Sequence, residues 1–179
     1  MQSADDSAAL LQHLGIRAAD LLGFSNGGTI ALQVAIRHPR VVRRLVLTAA
    51  LFRRDEAYPQ LWDAMKKAHF ENMPQELQDA YRGVAPHPEN LRLFHDKAAQ
   101  RMRDFQDIPE AAIRGIAAPA LVASGDADVI RPEHSVELFR LLPRAQLAIL
   151  PGTNHMQLTA RTNWLAPMVG SFLDAPDAK

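Results

Sequence analysis

Gly23-Phe24-Ser25-Asn26-Gly27 carries the spacing G-x-S-x-G. That pattern suits a serine pushed out at a sharp turn between a strand and a helix. Small residues at Gly23 and Gly27 let the two elements approach, and the turn forces the middle residue into a crowded backbone conformation. A serine hydroxyl does not attack unaided. It needs a base, and the base needs an orienting acid. In the chain order that goes with this motif, the acid follows a later strand and the histidine follows the last one. Asp128 lies just past the apolar run Ala118–Ser124, and His155 lies just past the run Ala145–Leu150. The chemistry these residues suit is attack of Ser25 on a carbonyl. His155 would carry the proton and Asp128 would hold the imidazole. The backbone N–H of Asn26, at the expected helix start, can donate to a developing oxyanion.

Such a site needs elements that bring three distant residues together. Ala4–Leu14 reads as a helix, with Leu10, Leu11 and Leu14 as its stripe and Gly15 beyond its end. The strand-like run ending at Phe24 leads into Ser25, and Thr29–Arg37 is helical by composition. Val41–Ala49 is a second strand, too apolar for a half-wet sheet. From Leu51 to Gly115 strand signals disappear, and apolar residues fall at helical spacing, as in Leu91, Phe94, Ala98, Met102 and Phe105. This stretch is expected to form a separate lobe of three or four helices. Ala118–Ser124 and Ala145–Leu150 are two more strands, with a helix over Pro132–Leu142 between them. Pro151–His155 reads as a loop, and Thr159–Phe172 as a last helix. Four apolar strands alternating with helices predict an α/β fold with a mostly parallel sheet and helices on both faces. Loops that follow parallel strands share one sheet edge, so Ser25, Asp128 and His155 can converge there.

Composition narrows the function further. The chain has 179 residues, of which 47% are hydrophobic and 22% charged, enough for a real core. Twenty basic residues balance twenty acidic ones, which argues against a nucleic-acid partner. With zero cysteines, disulfides, zinc knuckles and a thiol nucleophile are excluded. No apolar run has the roughly 18 residues of a membrane span, and the acidic start lacks a secretory signal. A cytoplasmic globular protein is expected, with no membrane partner. His13, His38, His69, His87, His95 and His134 read as surface residues, and no metal or cofactor is expected. Asp126 reads as a solvated turn residue.

These motifs together resemble the α/β-hydrolase superfamily, in particular its branch of small esterases, lactonases and peroxidase-like hydrolases. Gly23-Phe24-Ser25-Asn26-Gly27-Gly28 looks like the family's nucleophile elbow. Gly125-Asp126-Ala127-Asp128 looks like its acid turn, which favours Asp128 over Asp126, and Pro151-Gly152-Thr153-Asn154-His155 is similar to its histidine loop. The resemblance runs from about residue 4 to 173. It implies a core of residues 1–50 and 116–179, with residues 51–115 as a helical cap over the site. Phe24 beside the nucleophile, and Phe52, Tyr58, Trp62, Phe70, Met73 and Phe105 in the cap stretch, then become candidates to bind substrate. The implied activity is hydrolysis of a small carboxylic ester or lactone through an acyl-serine. The alternatives are perhydrolysis, C–C hydrolysis or acyl transfer, or an inactive or binding-only fragment. A dehalogenase is disfavoured, because those members carry Asp where Ser25 stands.

The chain also departs from the pattern. Family members begin with further strands and a His-Gly loop that supplies a second oxyanion donor, and no such segment precedes the elbow here. The resemblance therefore implies an N-terminally truncated fold, in which the strand ending at Phe24 is an unpaired apolar edge. Such an edge invites self-pairing, so a homodimer through it, or poor solubility, is expected.

Overall fold

The apolar runs become four strands in a computed structural model that describes residues 2–176: β1 (Ala19–Phe24), β2 (Val42–Thr48), β3 (Ala120–Gly125) and β4 (Ala145–Leu150). They pair in parallel in the order β1-β2-β3-β4. The register aligns their carboxyl ends. Phe24 lies opposite Thr48, Thr48 opposite Ala123, and Gly125 opposite Leu150. Whatever follows β1, β3 and β4 therefore starts from one edge.

Central β2 and β3 are almost wholly buried, which is why they read as continuous apolar runs rather than alternating ones. On one face Leu45, Leu47, Ala120 and Val122 pack with Leu32 and Ala35 of α2 (Asn26–Arg37), Ile113 of α6 (Glu110–Arg114), and Leu138 and Leu141 of α7 (Pro132–Leu141). On the other face Val46 and Leu121 pack against Phe172 of α9 (Thr162–Asp174). Leu22 is next to Val46 in register but belongs to the edge strand, and it is 61% exposed.

Helix α1 (Gln2–His13) turns the small residues Ala4 and Ala8 inward and contacts α2. Asp5 fixes it there by bonding Arg37 (2.7 Å) and His38 (2.7 Å). These partners hold the Asp5 carboxyl down at about 2.

The contacts separate Tyr58–Gln106 from the rest of the chain. This second unit contains α3 (Pro59–Lys66), α4 (Gln75–Val84) and α5 (Leu91–Arg103). Within it Trp62 and Phe105 are buried with ring centroids 6.0 Å apart, and Arg92 pairs with Glu71 and lies over Phe70. Phe52, Ile108, Ile113 and Ile116 flank that unit in sequence but belong to the core beneath the sheet.

Two helices replace the single one expected near the C-terminus. His155 opens α8 (His155–Ala160) instead of ending a loop, and α9 follows. The cause is local. Asn154 caps the helix by accepting from the Gln157 N–H (2.9 Å), while Gln157 Oε1 accepts from the Asn154 N–H (3.1 Å).

Candidate active site

Ser25 joins β1 to α2 with φ 54° and ψ −121°. That conformation is costly for a residue with a Cβ and persists only where its surroundings impose it. Here they do. The Ser25 N–H donates to Thr48 O (2.8 Å), and its carbonyl accepts from the N–H of Gly28 (2.9 Å). A Cβ at Gly23 would lie 2.3 Å from the Gly27 carbonyl oxygen, so the start of the motif must be glycine. A Cβ at Gly27 would meet nothing within 4 Å, whereas one at Gly28 would lie 2.7 Å from Ala50 Cβ. The close approach expected of Gly23 and Gly27 thus needs side-chain space at Gly23 and Gly28.

Asp128 stands in the turn after β3, its side chain fully buried. Its Oδ1 accepts from the Ile130 N–H (3.1 Å) and lies 2.8 Å from His155 Nδ1. A carboxylate oxygen can only accept, so Nδ1 carries the hydrogen and Nε2 of the neutral ring keeps its lone pair. Nε2 lies 3.0 Å from Ser25 Oγ, the position from which it can accept the hydroxyl proton. The imidazole is thus bonded on one side to an acid and on the other to a hydroxyl. Phe24 lies against the same ring, centroids 4.7 Å apart and planes tilted by 36°. Asn26, the expected oxyanion donor, is the first residue of α2.

Phe52 is a core residue, contrary to expectation. It is fully buried in the core cluster beneath the sheet and stacked on His134 of α7, centroids 4.3 Å apart. Trp62 is buried within the second unit. His134 also departs from its expected surface position. It is fully buried, and its Nε2 accepts from the Phe52 N–H (3.1 Å). Burial, helped by the charge of Arg53, pushes its pKa down to about 3. The signal was available in the sequence, since His134, Leu138 and Leu141 fall on one helical stripe. Asp126, expected to be merely solvated, is exposed but accepts from the Thr153 N–H (3.1 Å).

Glu56, His134 and Glu137 bring one ligand atom each within 4.8 Å of one another. They do not fit a metal. The Arg53 guanidinium already bonds Glu56 (2.7 Å) and Glu137, and His134 uses Nε2 on a backbone N–H. The cluster holds its own cation.

A parallel sheet whose strand ends gather a serine, a histidine and an aspartate defines a class of fold, and comparison agrees with it. A family model for the alpha/beta hydrolase fold matches residues 2–93. The chain is 33% identical over 193 residues to the 2-hydroxymuconate semialdehyde hydrolase of Pseudomonas sp. (strain CF600), an alignment covering 97% of this chain and 68% of that protein. It is 29% identical to the pimeloyl-[acyl-carrier protein] methyl ester esterase of Neisseria meningitidis serogroup B, covering 87% of this chain and 69% of that one. The enol-lactonase from Burkholderia xenovorans LB400 superposes with a TM-score of 0.70 at 25% identity, over 96% of this chain and 72% of the enol-lactonase. The chain belongs to the α/β-hydrolase family. Among the described residues no helix is long and apolar enough to cross a membrane.

Proposed function

We propose that the protein hydrolyses small carboxylic esters or lactones through an acyl-serine formed on Ser25. The observation that carries this reading is the pair of contacts made by His155, 3.0 Å to Ser25 Oγ and 2.8 Å to Asp128 Oδ1. In the proposed sequence Ser25 Oγ attacks the carbonyl carbon while His155 Nε2 takes its proton. Asp128 keeps the ring in the Nδ1–H form and balances the imidazolium charge. The Asn26 N–H donates to the oxyanion. The carbonyl then re-forms, the alkoxide leaves with the proton from His155, and a water activated by the same imidazole releases the acid and frees Ser25. No cofactor enters this sequence.

A methyl ester esterase and an enol-lactonase among the similar proteins support the ester and lactone classes. A second reading is C–C hydrolysis from the same serine. It is favoured by the 33% identity to a protein named for a semialdehyde rather than an ester. In this proposal the helical unit Tyr58–Gln106, narrower than the expected 51–115, forms the cap, with Phe24 and Trp62 as substrate contacts. In the same proposal the protein works in the cytoplasm on a small molecule, and two copies pair along β1.

A fluorophosphonate probe read by intact mass tests the chemistry. The folded wild-type chain should gain a single adduct, and Ser25→Ala should gain none. Folded wild-type protein that takes no adduct at neutral pH overturns the proposal in favour of an inactive or binding-only chain. Turnover of p-nitrophenyl esters and simple lactones then separates the ester and lactone reading from the second one.

A further inference from the structure

We infer that Asp126 is a positioning residue of this site, its carboxylate clasping the loop before His155 to the loop that carries Asp128. The inference rests on the acyl-serine reading and adds a residue to it.

Strands β3 and β4 end together, and the bonding between them continues past their ends. The Asp126 N–H donates to Leu150 O (3.1 Å), and the Ala127 N–H donates to Thr153 O (3.2 Å). The Asp126 side chain closes the ring from the other direction, with Oδ1 accepting from the Thr153 N–H (3.1 Å). Thr153 is fully buried, and a Cβ on Gly125 would lie 1.8 Å from its carbonyl oxygen, so the two loops are in direct contact. Gly152, with φ 56°, makes the reversal that aims the backbone at Asp126. The N–H groups of Gly152 and Thr153 hold the Asp126 carboxyl below the usual aspartate range. The carboxylate is therefore the working acceptor at neutral pH.

The position gives the clasp its effect. Asp128 is two residues beyond Asp126, and His155 is two residues beyond Thr153. Each reactive side chain leaves its loop just after the point where the loops are tied. His155 must meet Asp128 and Ser25 at once, and a displacement of about 1 Å in such a constellation costs about 10² in rate. Without the carboxylate, the two loops keep only the backbone bonds from Asp126 N–H to Leu150 O and from Ala127 N–H to Thr153 O, and the Thr153 N–H loses its acceptor.

The test compares the full chain with Asp126→Ala and Asp126→Asn, using the fluorophosphonate adduct on Ser25 as readout. Asp126→Ala should label about ten- to a hundred-fold more slowly. The loss should fall in the bond-forming rate constant and not in probe affinity, well below the melting temperature. Asp126→Asn keeps a carbonyl acceptor at the same reach and should recover most of the rate. If Asp126→Ala does not fold, Asp126→Ser, one bond shorter, should show the same slow labelling. Labelling by folded Asp126→Ala or Asp126→Ser at the wild-type rate overturns the positioning role and leaves the acyl-serine reading intact. Equal slowness of Asp126→Asn and Asp126→Ala also overturns it, because the acceptor would then be irrelevant. Absence of any adduct on the wild type overturns the underlying reading instead.

Discussion

Two histidines in this chain use their ring nitrogens in opposite settings. His155 donates from Nδ1 to a carboxylate and offers Nε2 to a hydroxyl. His134 accepts a backbone N–H at Nε2 and is sealed in the core. Their tautomers are the same, but only one ring has a reacting neighbour. Asp128→Asn should break that arrangement. An amide nitrogen facing Nδ1 favours the hydrogen on Nε2, which can no longer accept from Ser25. Probe labelling should fall by about 10³–10⁴ while the fold survives. For His134 the consequence is thermodynamic. Its folded pKa, about 3, lies below its ordinary 6.5, so between these values the unfolded chain binds more protons. Its contribution is fully present above 6.5 and is lost as pH falls toward about 3. Denaturant melts from pH 7 to pH 4 should show wild-type stability falling more steeply than that of His134→Gln. The difference in slope should approach, at most, about 1.4 kcal/mol per pH unit. Equal slopes would show that His134 titrates normally in the folded chain.

At the scale of elements, the site depends on two places where backbones touch. One is the elbow, where β1 gives way to α2 across the single residue Ser25. The other is the contact between the β3 and β4 loops. Both make sharp predictions because a backbone atom cannot move aside as a side-chain tip can. Gly23→Ala places a Cβ 2.3 Å from the Gly27 carbonyl oxygen, and Gly125→Ala places one 1.8 Å from that of Thr153. Each should cost about 3 kcal/mol or more in a chemical melt, at the upper end of overpacking changes. Gly27→Ala should stay within about 1 kcal/mol of the wild type, since its Cβ meets open space in a helix that favours alanine. A loss at Gly27 equal to that at Gly23 would contradict this account of the elbow.

At the scale of the molecule, the sheet is sealed unevenly. Helix α9 covers β2 and β3 on one face, and Leu22 on β1 lies in the same row, exposed. Among the described residues β1 has a strand partner on one side only. An apolar edge of this kind favours strand addition. Light scattering on a sizing column should therefore give twice the 19.8 kDa chain mass, and Leu22→Lys should shift the population toward the monomer. A monodisperse wild-type monomer with high thermal stability would exclude pairing through β1.

What the sequence determined alone was local or periodic. The elbow is five consecutive residues, and the strands are short apolar runs between turns. Chain order with parallel pairing then brings Ser25, Asp128 and His155 to one sheet edge, because every parallel strand ends on the same side. Tertiary structure decided which apolar and polar residues those runs bury together. Phe52 stacking on His134 joins positions 82 apart, and the Asp126 bond to Thr153 joins positions 27 apart. The stripe of His134, Leu138 and Leu141 marks burial but names no partner, and nothing around Asp126 marks its bond to Thr153. Burial and hydrogen-bond partners belong to the packed arrangement of several elements, so a local pattern can propose a site while only the folded chain determines what holds it in place.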